Sequence, residues 1–134
     1  MKTKLFLSSL LLALIIIMTS CQKDNNPFNP TADFTPPSWI IGEWHDGTDF
    51  NNYTFSSDNV ILNSPAASTS INFKEAYASA TVTEDINSSS EYKFTVTSTG
   101  VNQTYRFVKA SASTLNYYLT TSGMTTGPLL LTKQ

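Results

Sequence analysis

The strongest constraint on this chain is a period-two alternation of large apolar and polar residues, clearest in Tyr92-Lys93-Phe94-Thr95-Val96-Thr97. Successive side chains of an extended strand point to opposite faces, so Tyr92, Phe94 and Val96 share one face and Lys93, Thr95 and Thr97 the other. The rhythm recurs at Ile40/Gly42/Trp44, Tyr53/Phe55, Val60-Ile61-Leu62, Ile71/Phe73, Ala78/Ala80/Val82, Tyr105/Phe107, Leu115/Tyr117/Leu119 and Leu129/Leu131. Turn-forming groups such as Asp46-Gly47, Ser56-Ser57-Asp58-Asn59, Asn63-Ser64-Pro65 and Ser98-Thr99-Gly100 separate these runs. No segment after residue 37 sustains an apolar stripe at the helical period, so an all-β domain is expected. Short strands with short connections read as an antiparallel meander, and closing the meander removes its sticky edges. The expected fold is a small antiparallel up-and-down β-barrel of about eight strands over residues 38–134.

The parity of the runs assigns an inward set: Trp44, Tyr53, Phe55, Phe73, Tyr92, Phe94, Tyr105, Phe107 and Tyr117. Nine large rings inside a barrel of short strands fill much of it. The tyrosine hydroxyls among them need partners, which leaves room for a small, partly polar pocket at the open end. Its lining would be Tyr53, Phe55, Tyr92, Phe94, Tyr105, Phe107 and Tyr117, and its occupant a small hydrophobic ligand. Trp39 and Tyr118 have the opposite parity to Ile40 and Tyr117 and would face outward, where rings can stack on a glycan.

Upstream, residues 22–37 carry Pro27, Pro30, Pro36 and Pro37 among Asn, Thr and Asp. Proline removes backbone donors and biases its neighbours to extended conformations, so this stretch reads as a semi-stiff tether. Its 16 residues would reach roughly 50 Å. Phe28 and Phe34 are unusual in a solvated tether; packing on the domain, resting at a membrane interface and simple exposure all remain open. Before the tether come Lys2 and Lys4, the 14-residue apolar run Leu5 to Met18, then Thr19, Ser20 and the only cysteine, Cys21. This is the layout of a secretory signal peptide over residues 1–20, and the run falls short of the roughly 20 residues that cross a bilayer as a helix.

Met18-Thr19-Ser20-Cys21 resembles the lipobox of bacterial lipoproteins. That resemblance implies cleavage before Cys21, diacylation of its thiol and attachment to the lipid bilayer through the acylated cysteine; two or more acyl chains give stable anchoring where one is marginal. Gln22-Lys23-Asp24-Asn25-Asn26 resembles the short Lys- and acid-containing export signal of Bacteroidota surface lipoproteins, which implies the outer membrane, on either face. A second resemblance lies in Trp39-Ile40-Ile41-Gly42-Glu43-Trp44. A Gly-x-Trp on the first strand, then a meander ending on a strand with a basic residue, is similar to the lipocalin or calycin superfamily. There the tryptophan closes the barrel base beneath an Arg or Lys from near the last strand; Lys133 is the positional match and Arg106 the alternative.

Composition excludes several functions. Without Lys2 and Lys4 the chain carries 6 basic against 10 acidic residues, a net charge of about −4 that is unsuited to nucleic acid. His45, the only histidine, sits beside Asp46 and Asp49 in a predicted turn, where solvation is a simpler reading than a catalytic triad. Asp46-Gly47-Thr48-Asp49 lacks the spacing of a calcium loop. Glu84, Asp85 and Glu91 flank a Ser-rich loop and read as solvating it rather than as an acid/base pair. There is no phosphate loop, zinc spacing or nucleophile elbow. The expectation is therefore no catalytic residue, no metal and no cofactor. The chain reads as a non-enzymatic lipoprotein that binds a small hydrophobic ligand or acts as a surface interaction module. A glycan-binding or adhesin-like module is the alternative, and a lysozyme-inhibitor-like protein a weaker third, since its Ser-Gly-rich loop is not visible.

Overall fold

The computed structural model describes residues 32–134. The stretch read as a signal peptide, Cys21, and the part of the expected tether through residue 31, Phe28 included, lie outside the described residues. The chain forms β1 (Gly42–His45), β2 (Asn52–Phe55), β3 (Val60–Ser64), β4 (Thr69–Asn72), a single-turn helix α1 (Phe73–Ala76), then β5 (Thr81–Asn87), β6 (Glu91–Ser98), β7 (Val101–Lys109), β8 (Thr114–Thr121) and β9 (Met124–Lys133). All nine strands join one antiparallel sheet in the order β4-β3-β2-β1-β9-β8-β7-β6-β5. Apart from the β1–β9 pair, every neighbour in that order is also a neighbour in sequence. The sheet curls into a half-barrel with its ring-bearing face inward.

Local chemistry sets the register. Thr99 and Gly100 both have positive φ (41° and 80°), as do Ser122 and Gly123 (49° and 86°). Two consecutive positive φ values make the two-residue turn whose twist suits a hairpin. Ser98 therefore faces Val101, and Thr121 faces Met124. Asn72 ends β4 by accepting a hydrogen bond from the Lys74 amide at 3.1 Å, which turns the chain into α1. Phe73, expected on a strand, thus opens the helix, and it stays buried.

The all-β meander is as alternation predicts; it has nine strands and a seam that no ladder closes. Edges β4 and β5 are bridged instead by α1 and by the segment Ala32–Pro37. This segment, read from its prolines as the end of the tether, packs on the domain expected to start at residue 38. Ala32, Phe34 and Pro36 are buried while Asp33 and Thr35 are exposed, the alternation of a strand. The Ala32 amide donates to the Lys74 carbonyl at 3.3 Å. The Thr35 amide donates to Glu84 Oε1 at 2.7 Å, the Thr35 hydroxyl donates to Glu84 Oε2, and Asn87 Nδ2 donates to the Thr35 carbonyl at 2.7 Å. Phe34 packs edge-on against Phe94 at 5.1 Å between ring centres and lies 6.3 Å from Phe73. Pro36 and Pro37 have no amide hydrogen to offer a ladder, so apart from the single Ala32–Lys74 backbone bond this strap is fastened by side chains.

Candidate functional site

At the β1–β9 junction Trp44 is fully buried and its indole N–H donates to the Ile40 carbonyl at 2.7 Å. Trp44 pairs across the sheet with Lys133, whose Nζ lies 5.3 Å from the ring centre. Gly42 has a φ of 122°, and a Cβ there would stand 3.1 Å from Lys133 Cε, so the glycine leaves room for the lysine stem. Arg106, the alternative cation for this base, lies elsewhere: it falls between the inward Tyr105 and Phe107, and parity sends it to the convex face.

The seven rings expected to line a ligand pocket are all buried, but they line one another. Phe107 stacks on Tyr117 at 5.0 Å and meets the edges of Phe55 and Tyr53 at 5.0 and 5.2 Å. Phe94 stacks on Tyr105 at 5.0 Å and lies 5.5 Å from Tyr92. The hydroxyls are engaged too. Tyr92 donates to Glu84 at 2.6 Å, and the Tyr105 and Tyr77 hydroxyls share a 2.7 Å hydrogen bond beside Gln103. Among the described residues no buried side-chain polar atom lacks a partner. Burial, reinforced by neighbouring phenols and by Glu84, drives Tyr53, Tyr92 and Tyr105 well above the ordinary tyrosine value and pushes Tyr117 up to about 12. These phenols stay neutral and hold the core. Only Tyr117 of the seven borders either of the two cavities that follow.

The first cavity, about 370 Å³, opens at the rim of the concave face and is lined by Asn51, Tyr117, Leu119, Thr126, Gly127, Pro128 and Leu129. Gly127 shapes it, with a φ of 111° and backbone so close that a Cβ would fall 2.5 Å from the Tyr117 carbonyl oxygen. The second, about 350 Å³, lies on the convex face and is lined by Lys93, Thr104, Arg106, Tyr118, Thr120 and Thr125. Its members are set by register. Lys93 faces Arg106 and Arg106 faces Tyr118 across β6, β7 and β8. One step along, Thr95, Thr104, Thr120 and Thr125 form a row across β6 to β9. Thr95 and Thr104 share a hydrogen bond of 2.9 Å, and Thr120 and Thr125 one of 2.7 Å. Arg106 donates from Nε to Glu91 at 2.7 Å and from Nη2 at 3.3 Å, while its guanidinium carbon lies 5.1 Å from the Tyr118 ring centre. The hydrogen bond from Arg106 holds the Glu91 carboxyl below its ordinary value, against the opposing effect of burial.

The remaining candidates have structural partners. Asp46 accepts from the Thr48 amide and hydroxyl, both at 2.8 Å, and from the Asn51 amide and side chain, both at 3.0 Å. Burial raises its carboxyl, but these bonds outweigh it and the net shift is downward. Asp49 holds Asn52, and Asp85 holds Thr95. Glu84, Asp85 and Glu91 thus each have a different partner and do not form a pair. Among the described residues no group of three His, Cys, Asp or Glu is placed to hold a metal. Trp39, expected as a second free ring, is half-buried: its indole donates to the Ser88 carbonyl at 2.7 Å, and Lys109 Nζ lies 5.8 Å from its ring centre. It pins the strap to the β5–β6 turn. Tyr118 is also half-buried, with its ring on the convex face.

The convex cluster escaped the sequence because its residues are spaced by pairing rather than along the chain. The usable signal was Thr99-Gly100, since residues equidistant from a two-residue turn face one another. No family model, curated protein or solved structure matches the chain.

Proposed function

We propose that this chain is an exported lipoprotein, anchored in the outer membrane through acylated Cys21, whose half-barrel is a non-enzymatic module that binds carbohydrate on the convex face of β6–β9. One observation carries the binding reading: a tyrosine ring, a clamped guanidinium and a row of threonine hydroxyls surround a cavity of about 350 Å³, while the concave face is filled by its own rings. Aromatic rings with a polar tip suit ligands that have both apolar faces and hydroxyl edges, and the cavity is at the lower end for small-ligand sites, about 300 Å³ and upward. A glycan array tests it, with Tyr118→Ala as the variant. Retention of at least one glycan class and a loss of about tenfold or more in Tyr118→Ala are expected. Equal retention by both proteins would remove Tyr118 from the argument, and a blank array would end the reading.

A second reading has its own observation. The rim cavity combines Tyr117, Leu119, Pro128 and Leu129, which suits a small hydrophobic ligand. Displacement of a fluorescent fatty-acid probe, lost on Leu129→Gln, is its test. The anchor is tested separately by mass spectrometry of the membrane-extracted protein. Acyl chains on Cys21 are expected, and an unmodified amino terminus at any other residue would refute it.

A further inference from the structure

We infer that the sugar taken by the convex face carries a carboxylate, seated between Lys93 and Arg106; this rests on the carbohydrate reading above and names its ligand class. The cations of the domain are the starting point. Among the described residues, Lys74 pairs with Asp58 at 2.7 Å, Lys133 covers Trp44, Lys109 lies over Trp39, and Arg106 is held by Glu91. Lys93 alone has no such partner among the described residues, and it lines the convex cavity. It also stands directly across the β6–β7 ladder from Arg106. Like charges directly opposite one another in a sheet are destabilising, and the one carboxylate near the pair, Glu91, attracts both cations but is hydrogen-bonded to Arg106 alone. An anionic group in the cavity would relieve that repulsion.

The form of the site favours a sugar acid over a bare anion. Arg106 presents Nε and Nη2 to Glu91, so its fork is already oriented and Nη1 remains as a donor. Tyr118, next in the same row, offers a ring face beside that donor. Thr104, Thr120 and Thr125 line the neighbouring wall, and each hydroxyl keeps acceptor capacity beyond its single bond to another threonine. Cations at one end, a ring in the middle and hydroxyls at the other match a carboxylated pyranose: its carboxylate, its C–H face and its hydroxyl edge. The cavity volume suits one or two such units.

The test pairs carboxylated oligosaccharides (galacturonate, glucuronate and sialate series) with their neutral counterparts, measuring affinities by calorimetry on the full chain in detergent. At least one acidic member is expected to bind about tenfold more tightly than its neutral counterpart. That ratio should collapse to about one in Lys93→Gln and persist in Lys74→Gln, which removes a charge from elsewhere on the surface; the near-ultraviolet circular dichroism of each variant checks its fold. Equal affinity for acidic and neutral members overturns this inference and leaves the carbohydrate reading standing. Binding of no member overturns both. Competition by acetate as effective as by the sugar acids would show an anion site without sugar recognition and would also overturn it.

Discussion

Phe34→Ala tests the strap. Phe34 is 2% exposed and wedged against Phe94 and Phe73 at the one place where the sheet has no ladder. Truncating a buried phenylalanine leaves a cavity and loses its transfer energy, together about 3–5 kcal/mol. The strap is terminal to the domain and can lift away rather than hold a void, which puts the expected loss at the lower end, about 3 kcal/mol. With a urea m-value of about 1.5 kcal/mol/M for a domain of this size, the unfolding midpoint should fall by about 2 M. Phe50→Ala is the control: Phe50 is 54% exposed, and its loss should stay within about 0.5 kcal/mol. The same Phe34→Ala protein should lose hydrogen-exchange protection first along β5, where Glu84 and Asn87 grip Thr35. A midpoint shift no larger than that of Phe50→Ala would refute the claim that residues 32–37 belong to the fold.

Three further outcomes are expected. Gly42→Ala places a side chain at a φ of 122° and 3.1 Å from Lys133 Cε, and should lower stability by about 1–3 kcal/mol; a thermal midpoint equal to the parent's would dismiss the barrel-base geometry. Burial alone would raise the Glu84 carboxyl, but hydrogen bonds from Thr35, Tyr92 and Asn87 outweigh it and hold the group below its unfolded value of 4.5. Its contribution is therefore present above that pH and lost as pH falls through the lower folded value, so Glu84→Gln should flatten the acid limb of urea midpoints measured from pH 3 to 7, and parallel curves would contradict the assignment. In an alkaline absorbance titration the phenols of Tyr53, Tyr92, Tyr105 and Tyr117, all raised above 10 by burial, should stay silent near pH 10 while the fold persists, and ionisation of all six tyrosines there would show the core to be open.

Period-two parity was sufficient to find the core, because burial in a sheet is decided residue by residue: Trp44, Tyr53, Phe55, Tyr92, Phe94, Tyr105, Phe107 and Tyr117 all face inward as alternation implies. What parity could not show was closure. Whether a meander joins its last edges depends on which strands become edges, and here the ends are β4 and β5 from the middle of the chain. The strap was hidden for a related reason. Proline content rules out a ladder strand, and it does so correctly, but it is silent on burial; Ala32, Phe34 and Pro36 alternate with exposed residues as any strand would. Arg106 was kept as an alternative to Lys133 at the base because its charge was weighed before its parity. Trp39 was taken as free because its partners, Ser88 and Lys109, are far away in sequence.

The two faces of the sheet divide the work. A concave face that packs rings at 5.0–6.5 Å has used its apolar surface on itself, and the hydroxyls of Tyr77, Tyr92 and Tyr105 are already bonded. On the proposed carbohydrate reading, recognition falls to the rim and the convex face, where the side chains are short or clamped. Threonine has a stiff χ1, and hydrogen bonds between threonine pairs across β6–β9 restrict it further; Arg106 is held by Glu91 and lies against Tyr118. A surface whose groups are ordered before contact loses less entropy on binding. On a domain whose long strands, β5 to β9, carry that surface and whose short strands, β1 to β4, mainly complete the core, affinity can come from fixed groups rather than from a deep pocket. Lys93, which among the described residues has neither an ion pair nor a ring beneath it, is then the residue in that array whose placement the proposed ligand would explain.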